Sequence, residues 1–402
     1  MTWKVDNTLT ANISGWQCNI DAESTPIIWI AIIWSARSAY QRSEGEQGLC
    51  IGERLIMCCI LNQLLIEKYD FLLPYHLQTS NDVFKSLSWF GWVMATKYSV
   101  PADVPDELIE TFIDNMDAAT CGTGKMNLFA CDQKIEHLND DFYDGGNKIP
   151  LSSNDPAHLF EIGARAHEEG TIGVLAGQLG LIAQYARDYP DIPYLVKLNS
   201  KSHMVKTSQR DPVSQAMWDI DDVASLLHNG INVVGIGYTV YIGSEYEHEM
   251  LTEAATFIRQ AHEMGMIAVV WMYPRGKAVT DEKDPQLISG AAGVAACIGA
   301  DFAKVNYPRA FEGMTQPESL GIAAEAAGRC GIICSGGGTL PPEEFLGRLV
   351  DQMQVSGCRG AATGRNIHQK TTEEAVRMTA ACKAVICDGA GLEEALAIYN
   401  GQ

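Results

Sequence analysis

The stretch LTEAATFIRQAHEMGMIAVVWMY (251–273) contains a helical pattern followed directly by a continuously apolar run. Its first part has helical periodicity, and Gly265 stands where helices commonly end in a left-handed residue. The run MIAVVWMY (266–273) lacks polar–apolar alternation, which is typical of a parallel strand buried on both faces. The stretch therefore predicts a helix that leads into a buried parallel strand.

The same alternation of helical patterns and apolar runs fills the chain from residue 126 onward. In chain order the runs are MNLFACD (126–132), TIGVLA (171–176), PYLVKLN (193–199), NVVGIGY (232–238), MIAVVWMY (266–273), DFAKVN (301–306), CGIICS (330–335) and RGAATG (359–364). Eight strand–helix units within 126–390 predict a (β/α)8 TIM barrel, a fold of the α/β class. An open, doubly wound parallel sheet is the alternative.

The first 115 residues differ in composition from the rest, with six of the eight tryptophans and few glycines. Helical periodicity at 51–68, and a proline with acidic residues within 101–115, predict helices. The run PIIWIAIIW (26–34) is either a buried strand or a buried helix. We therefore predict two domains: a mainly helical N-terminal extension of unknown role (1–115) and the barrel (116–402).

The charge balance restricts the class of partner. With 29 Lys and Arg against 50 Asp and Glu, the formal net charge is −21, which repels nucleic acid and anionic lipid surfaces. A small pocket with local positive charge still admits a phosphorylated metabolite. The 12 cysteines lack paired zinc-type spacings, and no signal peptide precedes the first polar stretch. These features predict a reduced, cytoplasmic protein that binds neither nucleic acid nor membrane.

Two lysines lie where predicted strands end, which is where barrels carry their chemistry. Lys304 stands within the apolar run DFAKVN, and Lys197 lies near the end of PYLVKLN. Burial disfavours a charged amine, and a neutral amine can attack a carbonyl to form a Schiff base. The alternative is a structural lysine paired with a carboxylate. The pattern does not choose between the two lysines.

Asp132 and Tyr273 end two further strands and are candidates for proton transfer. An imine mechanism needs a group that moves a proton at the substrate, and a carboxylate or a tyrosine can serve. The structural alternatives are that Asp132 caps the following loop and that Tyr273 belongs to the core. A third interpretation places Asp132, Glu136 and His137 around a metal ion, but no further His/Cys cluster completes the set.

Glycine-containing turns follow the last two predicted strands. They are Ser335-Gly-Gly-Gly338 and Gly364-Arg365-Asn366. TIM barrels often bind phosphate after these two strands, where glycines let the backbone approach a ligand. Gly235-Ile-Gly237 lacks the spacing of a dinucleotide fingerprint. The two turns therefore predict a phosphate site.

Six ordered motifs resemble the archaeal-type class I fructose-bisphosphate aldolases, within the wider group of DeoC/LacD-like Schiff-base aldolases. They are FACDQKIEH (129–137), PYLVKLNSK (193–201), VVWMYPRGKA (269–278), DFAKVNYP (301–308), CSGGG (334–338) and ATGRNIHQ (362–369). The resemblance covers about residues 120–390. It implies a TIM barrel, no metal or other cofactor, and a homo-oligomer.

The resemblance also implies roles for single residues. Lys304 would form the Schiff base, Tyr273 would act as general acid and base, and Asp132 would bind substrate hydroxyls. The implied substrate-binding positions are His137 and Trp271 lining the site, Ser335, Gly336, Gly337, Gly364 and Arg365 in the phosphate loops, and Arg275 toward a second phosphate. The few basic groups at the mouth, Lys134 among them, are expected to meet phosphates.

The implied reaction is the reversible cleavage of fructose 1,6-bisphosphate to dihydroxyacetone phosphate and glyceraldehyde 3-phosphate, a step of glycolysis and gluconeogenesis. The alternatives are another Schiff-base aldolase or transaldolase-like enzyme, of the ulosonate synthase or deoxyribose-phosphate type, and a non-catalytic barrel that binds sugar phosphates. The chain departs from the usual family pattern in Asp132-Gln-Lys134 and in the long acidic loop 138–156, which we expect to act as a lid.

Overall fold

The computed structural model describes residues 8–13, 16–21, 97–202 and 211–402. The chain forms two compact units, Met1–Ala95 and Thr96–Gln402. In the first unit, strands β1 (Thr8–Ile13) and β2 (Trp16–Asp21) pair antiparallel. The predictions for 26–34 and 51–68, and most of the predicted helical extension, lie outside the described residues.

Eight parallel strands of the second unit close into a barrel in the order β10-β3-β4-β5-β6-β7-β8-β9. The strands are β3 (Met126–Ala130), β4 (Val174–Gln178), β5 (Tyr194–Lys197), β6 (Val233–Ile242), β7 (Ile267–Pro274), β8 (Phe302–Val305), β9 (Gly331–Ser335) and β10 (Gly360–Thr363). The predicted TIM barrel and the chain order of its strands are confirmed, and the doubly wound sheet is wrong.

Strand β6 is longer than the predicted run 232–238. It continues to Ile242 because it stays paired with β7, where Ile242 lies opposite Pro274. Strand β8 pairs with β7 only as far as Lys304 opposite Trp271. The β6–β7 pair therefore extends beyond β8 at the end of the barrel that carries the candidate site.

Helices alternate with the barrel strands along the chain. The described helices are α1 (Ile109–Ala119), α2 (Gln133–Glu136), α3 (Ala157–Glu168), α4 (Leu179–Tyr185), α5 (Ile220–His228), α6 (Glu247–His262), α7 (Pro285–Cys297), α8 (Gln316–Ala327), α9 (Pro342–Gln354), α10 (Arg365–His368), α11 (Thr372–Lys383) and α12 (Leu392–Tyr399). Asp219, Asp284 and Thr315 cap α5, α7 and α8 by accepting hydrogen bonds from first-turn N–H groups. No helix in these described ranges is both long and apolar enough to cross a lipid bilayer.

Helix α1 closes the N-terminal end of the barrel. Phe112 and Met116 are buried in one apolar cluster with residues of the barrel interior, among them Leu128. The Asn115 side chain donates a 2.8 Å hydrogen bond to the carbonyl of Gly265, just before β7. The helix predicted over 101–115 is found as α1, but it begins and ends later in the chain than predicted. It continues to Ala119 because its buried apolar face continues to that residue.

Candidate active site

Polar side chains from several strands converge at the C-terminal end of the barrel. Asp132 follows β3 and precedes α2, and Lys197 is the last residue of β5. Tyr273 lies near the end of β7, and Lys304 lies on β8 beside Trp271 of β7. The structure therefore places the predicted proton-transfer groups and both candidate lysines at one end of the barrel.

Lys197 is fully buried and held by two carboxylates. Its Nζ donates a 2.8 Å hydrogen bond to Asp132 Oδ2 and a second hydrogen bond to Glu136 Oε1. Burial alone would lower the pKa of Lys197, but the charges of Asp132 and Glu136 outweigh it and the pKa is raised. Burial would likewise raise the pKa of Asp132, yet Lys197 and Lys304 lower it to about 2. Lys197 is thus a charged, structural ion-pair partner.

Lys304 has the opposite surroundings. Its side chain is 5% exposed, and its amine makes no hydrogen bond or ion pair within the described chain. The two lysine Nζ atoms lie 4.9 Å (Lys197) and 5.1 Å (Lys304) from the centroid of the same Trp271 ring. Burial lowers the pKa of Lys304, and the charge of Lys197 lowers it further against the attraction of Asp132. Of the two lysines, Lys304 is the one suited to be a neutral nucleophile.

Tyr273 is a protonated phenol in this arrangement. Burial raises its pKa well above the usual value, and the negative charges of Asp132 and Glu136 raise it further. The Arg275 guanidinium lies 5.9 Å from the centroid of the Tyr273 ring and 5.6 Å from that of Tyr241. Tyr273 can therefore donate a proton before it can accept one.

Arg275 itself is held by Glu282. Arg275 Nε and Nη2 donate to the two carboxylate oxygens of Glu282, each at 2.9 Å. Such a two-point pair is among the strongest arrangements of guanidinium and carboxylate. Arg275 lies at the mouth of the barrel as predicted, but its charge is already paired.

The two glycine-containing turns after β9 and β10 are joined to each other. The Gly336 N–H donates to the Ala362 carbonyl at 2.9 Å. Asn366 Oδ1 accepts from the Leu340 N–H at 2.9 Å, and its Nδ2 donates to the Gly338 carbonyl at 3.2 Å. Asn366 therefore holds the turn after β9 in place from the turn after β10.

Two of these glycines have backbone reasons to be glycine. Gly337 has a φ of +68°, in the left-handed region that favours glycine. A Cβ at Gly364 would come within 2.3 Å of Gln133 Nε2 and 2.8 Å of the Ala130 carbonyl. The glycine pattern thus reflects turn geometry and close packing. The N–H groups of Gly337 and Gly338 make no hydrogen bond within the described residues and are exposed at the mouth.

Arg365 and His137 meet at Asp141. His137 Nδ1 forms a hydrogen bond with Asp141 Oδ2, and Arg365 Nη1 lies 3.6 Å from the same oxygen. Burial would raise the pKa of Asp141, but His137 and Arg365 keep it lowered. Two predicted substrate-binding residues are therefore brought together by a carboxylate that the sequence pattern did not single out.

Lys134 does not point into the site. Its Nζ donates to the Asn154 carbonyl at 2.8 Å and lies 4.2 Å from the centroid of the Phe142 ring. Phe142 is buried and stacks on His368, with ring centroids 4.7 Å apart. In this structure the charge of Lys134 holds residues 138–154 of the long acidic loop (the 138–154 loop), and a contact of Lys134 with a substrate anion stays a prediction.

Residues 126–370, more than half of the chain, match the model of the DeoC/LacD family aldolases. The chain is a DeoC/LacD family aldolase. The fructose-bisphosphate aldolase/6-deoxy-5-ketofructose 1-phosphate synthase of Methanocaldococcus jannaschii is 52% identical over 303 residues, 75% of this chain and 94% of that protein.

Two solved structures resemble the aldolase. A fructose-bisphosphate aldolase from Slackia heliotrinireducens is 54% identical with a TM-score of 0.73, covering 76% of this chain and 94% of that chain. A Schiff-base-forming fructose-1,6-bisphosphate aldolase is 28% identical with a TM-score of 0.57, covering 68% and 99%. The predicted family is thereby confirmed, and the aldolase is a lyase of the Schiff-base-forming class.

The residues of the metal interpretation have other partners in the aldolase. Asp132 and Glu136 both bind Lys197, and His137 binds Asp141. Within the described ranges, no group of three or more His, Cys, Asp or Glu side chains is arranged to hold a metal ion.

The ion pairs of Glu136, Asp141 and Glu282 were not predicted from the sequence. Only Glu136 left a local signal, because it follows Asp132 by four residues and can share a helical face with it. Asp141 ends a three-residue 3-10 helix (Asn139–Asp141) and Glu282 lies in a turn, and at neither position does spacing predict which cation is contacted.

Proposed function

We propose that the aldolase cleaves fructose 1,6-bisphosphate reversibly through a Schiff base on Lys304. The observation that carries the proposal is the contrast between the two buried lysines at Trp271. Lys197 is tied to Asp132 and Glu136, whereas the Lys304 amine is unpaired among the described residues and has a lowered pKa. The names of the relatives support fructose 1,6-bisphosphate as the substrate.

Imine formation uses the proton that Tyr273 holds. The neutral Lys304 amine attacks the ketose carbonyl carbon and gives a carbinolamine. Tyr273 donates its proton to the departing hydroxyl, water leaves, and a phenolate remains beside the iminium cation. The positive charge of the iminium stabilises that phenolate, which offsets the raised pKa of the free phenol.

Carbon–carbon cleavage reverses the role of Tyr273. The phenolate takes the proton of the hydroxyl on the fourth carbon, the bond between the third and fourth carbons breaks, and its electron pair enters the iminium as an enamine. Glyceraldehyde 3-phosphate leaves. Tyr273 then protonates the enamine carbon, and water hydrolyses the regenerated iminium to dihydroxyacetone phosphate while the phenolate recovers its proton. The ionised Asp132 accepts a hydrogen bond from a substrate hydroxyl throughout the reaction.

The ketose phosphate on the dihydroxyacetone side is assigned to the turns after β9 and β10. Arg365 supplies a cation, Ser335 a hydroxyl, and the exposed turn at Gly337 two N–H groups without partners in the described chain. Arg275, beside Tyr273, lies toward the aldehyde half of the substrate. A homo-oligomer in the cytoplasm, with no nucleic-acid or membrane partner, stays a prediction, as does the division of the chain at residue 115.

Trapping the imine tests this function. The aldolase is incubated with dihydroxyacetone phosphate, reduced with borohydride, and digested for peptide mass analysis. We expect one adduct on Lys304, and none in Lys304→Met. An adduct on Lys197 would overturn the assignment. Sugar-phosphate binding without any adduct or turnover would instead indicate a non-catalytic barrel.

Cleavage assays of two variants separate the role of Tyr273 from that of its neighbour Tyr241. Tyr273→Phe should lower cleavage of fructose 1,6-bisphosphate by about 10²–10⁴-fold, since every proton transfer assigned to the Tyr273 hydroxyl is lost. Tyr241→Phe is the control, because Tyr241 also lies beside Arg275, although it is fully buried whereas Tyr273 is partly buried. Equal activity loss in the two variants would contradict the role given to Tyr273.

A further inference from the structure

Arg275 is the arginine that lies beside Tyr273 at the mouth of the barrel. It follows Tyr273 by two residues, and its guanidinium lies 5.9 Å from the Tyr273 ring centroid. In the proposed mechanism Tyr273 removes the proton from the hydroxyl of the future aldehyde. A group carried by that aldehyde beyond its reacting carbon would therefore lie toward Arg275.

The two arginines at the mouth differ in how fully they are paired. Arg365 Nη1 lies 3.6 Å from Asp141 Oδ2, which is longer than a hydrogen bond. Arg275 instead makes two 2.9 Å hydrogen bonds to Glu282, which occupy one edge of its guanidinium and balance its charge. The dihydroxyacetone end thus offers a cation with free donors, whereas the aldehyde end offers a neutralised one.

Glu282 is also held in place from outside the site. Arg309, which follows β8, binds Asp281 at 2.8 Å and Asp284 at 2.7 Å, the residues on either side of the Glu282–Lys283 pair. The Arg309 N–H donates to the Lys283 carbonyl at 2.9 Å. The backbone that carries Glu282 is therefore anchored on both sides. A second phosphate would have to compete with a carboxylate whose backbone is fixed.

We propose that Glu282 is a specificity-determining residue that neutralises Arg275 and lets the aldolase accept aldehydes without a phosphate. Glu282 thereby sets the ratio at which bisphosphorylated and singly phosphorylated ketoses are cleaved. This inference rests on the proposed Schiff-base cleavage. Glu282 acts through Arg275 and touches no reacting atom.

The test compares cleavage of fructose 1,6-bisphosphate with cleavage of fructose 1-phosphate. In Glu282→Gln, the ratio of kcat/KM for the two sugars should rise about five- to tenfold through a lower KM for the bisphosphate. The kcat/KM for fructose 1-phosphate should stay within about twofold of the wild-type value. Glu282→Ala gives a second variant with the same expectation, and thermal unfolding checks that both variants fold.

Two further variants isolate the cause. Glu245→Gln removes an exposed carboxylate from the loop after β6, where its side chain contacts no cation among the described residues, and should leave the ratio unchanged. Adding Arg275→Gln to Glu282→Gln should return the ratio to within about twofold of the wild-type value, because no cation is left to favour the second phosphate.

The outcomes distinguish the two proposals. A ratio that stays within twofold of wild type in both Glu282 variants, or that rises equally in Glu245→Gln, would overturn the role of Glu282. Cleavage by Lys304 would still stand in that case. If the wild-type protein cleaves neither sugar, the proposed function fails, and the specificity proposal fails with it.

Discussion

The two lysines beside Trp271 show how one residue type takes two states within a single site. Both side chains are buried, and both amines lie about 5 Å from the same indole ring. Lys197 stays charged because Asp132 and Glu136 bind it. Lys304 lacks such partners in the described chain, so burial and the neighbouring ammonium favour its neutral form.

The coupling between the lysines gives a prediction with a definite sign. Imine formation needs the neutral Lys304 amine, so the pH at which borohydride trapping falls off reports its pKa. Lys197→Met removes a charge that lowers this pKa, and the profile should move to higher pH. Glu136→Gln removes a charge that raises the pKa, and the profile should move to lower pH. Trapping rates measured from pH 5 to 10 check both directions.

Folding has to be followed in the same variants. Lys197→Met leaves two buried carboxylates without their cation, which we expect to cost about 3–5 kcal/mol of unfolding free energy. Glu136→Gln keeps the Asp132–Lys197 pair and is the milder change. A shift of both profiles in the same direction, with folding intact, would contradict the electrostatic account.

For single residues, the sequence predicts which side chains belong to the candidate active site better than it predicts their ion-pair partners. Buried lysines within apolar runs stand out because charge is rarely buried. The ion pairs of Lys197, by contrast, join residues 65 and 61 positions apart in the chain. Such contacts depend on barrel closure, which local spacing does not encode. The local pattern therefore did not choose between Lys197 and Lys304. The family resemblance favoured Lys304, and the side-chain geometry gives the physical difference between the two lysines.

Among the elements, the 138–154 loop is anchored by named contacts. Phe142 is buried against His368, Gln369 Nε2 donates to the Asp141 carbonyl at 2.8 Å, and Ser153 Oγ donates to the His368 carbonyl at 2.9 Å. Burial lowers the pKa of His368 to about 3, so the ring against Phe142 is neutral. The loop therefore packs on the segment after β10 that also carries Arg365.

Phe142 should contribute to stability far more than the next residue. We expect Phe142→Ala to lower the unfolding free energy by about 3 kcal/mol, since a buried aromatic ring and its stacking partner are lost. Tyr143→Ala is the matched control, because Tyr143 is 47% exposed, and should change stability by less than about 0.5 kcal/mol. Urea unfolding measures both. Similar values would show that the loop is not held through Phe142.

The strands were predictable because parallel strands buried on both faces leave continuous apolar runs. The ends of the strands were harder to predict. Strand β6 continues to Ile242 because its last residues pair with β7, and that pairing cannot be read from the local sequence. Helix α1 shows the same limit, since its end at Ala119 is set by packing under the barrel. Periodicity predicts an element, and its tertiary partner decides where it ends.

At the scale of the molecule, the formal net charge is −21, so the few cations at the mouth decide whether the site can attract a phosphate. These cations are largely paired with acidic groups or with the backbone. Arg275 lies against Glu282, Arg365 lies near Asp141, and Lys134 faces the 138–154 loop. The expectation of a mouth rich in free positive charge is therefore met only in part. We therefore expect substrate phosphates to be bound by directed hydrogen bonds and by exchange with these carboxylates, more than by a long-range field.

The barrel should fold without the first unit, but only if it keeps α1. A chain of residues 96–402 should unfold in one transition and form the Lys304 adduct. It contains all described residues of the apolar cluster that α1 forms with the barrel interior, which we call the barrel floor. A chain of residues 116–402, cut at the predicted domain boundary, loses Phe112 and the Asp103 partner of His262. It should be less stable by more than about 5 kcal/mol, because the barrel floor is opened to water. Equal stability in urea would instead favour the boundary at 115.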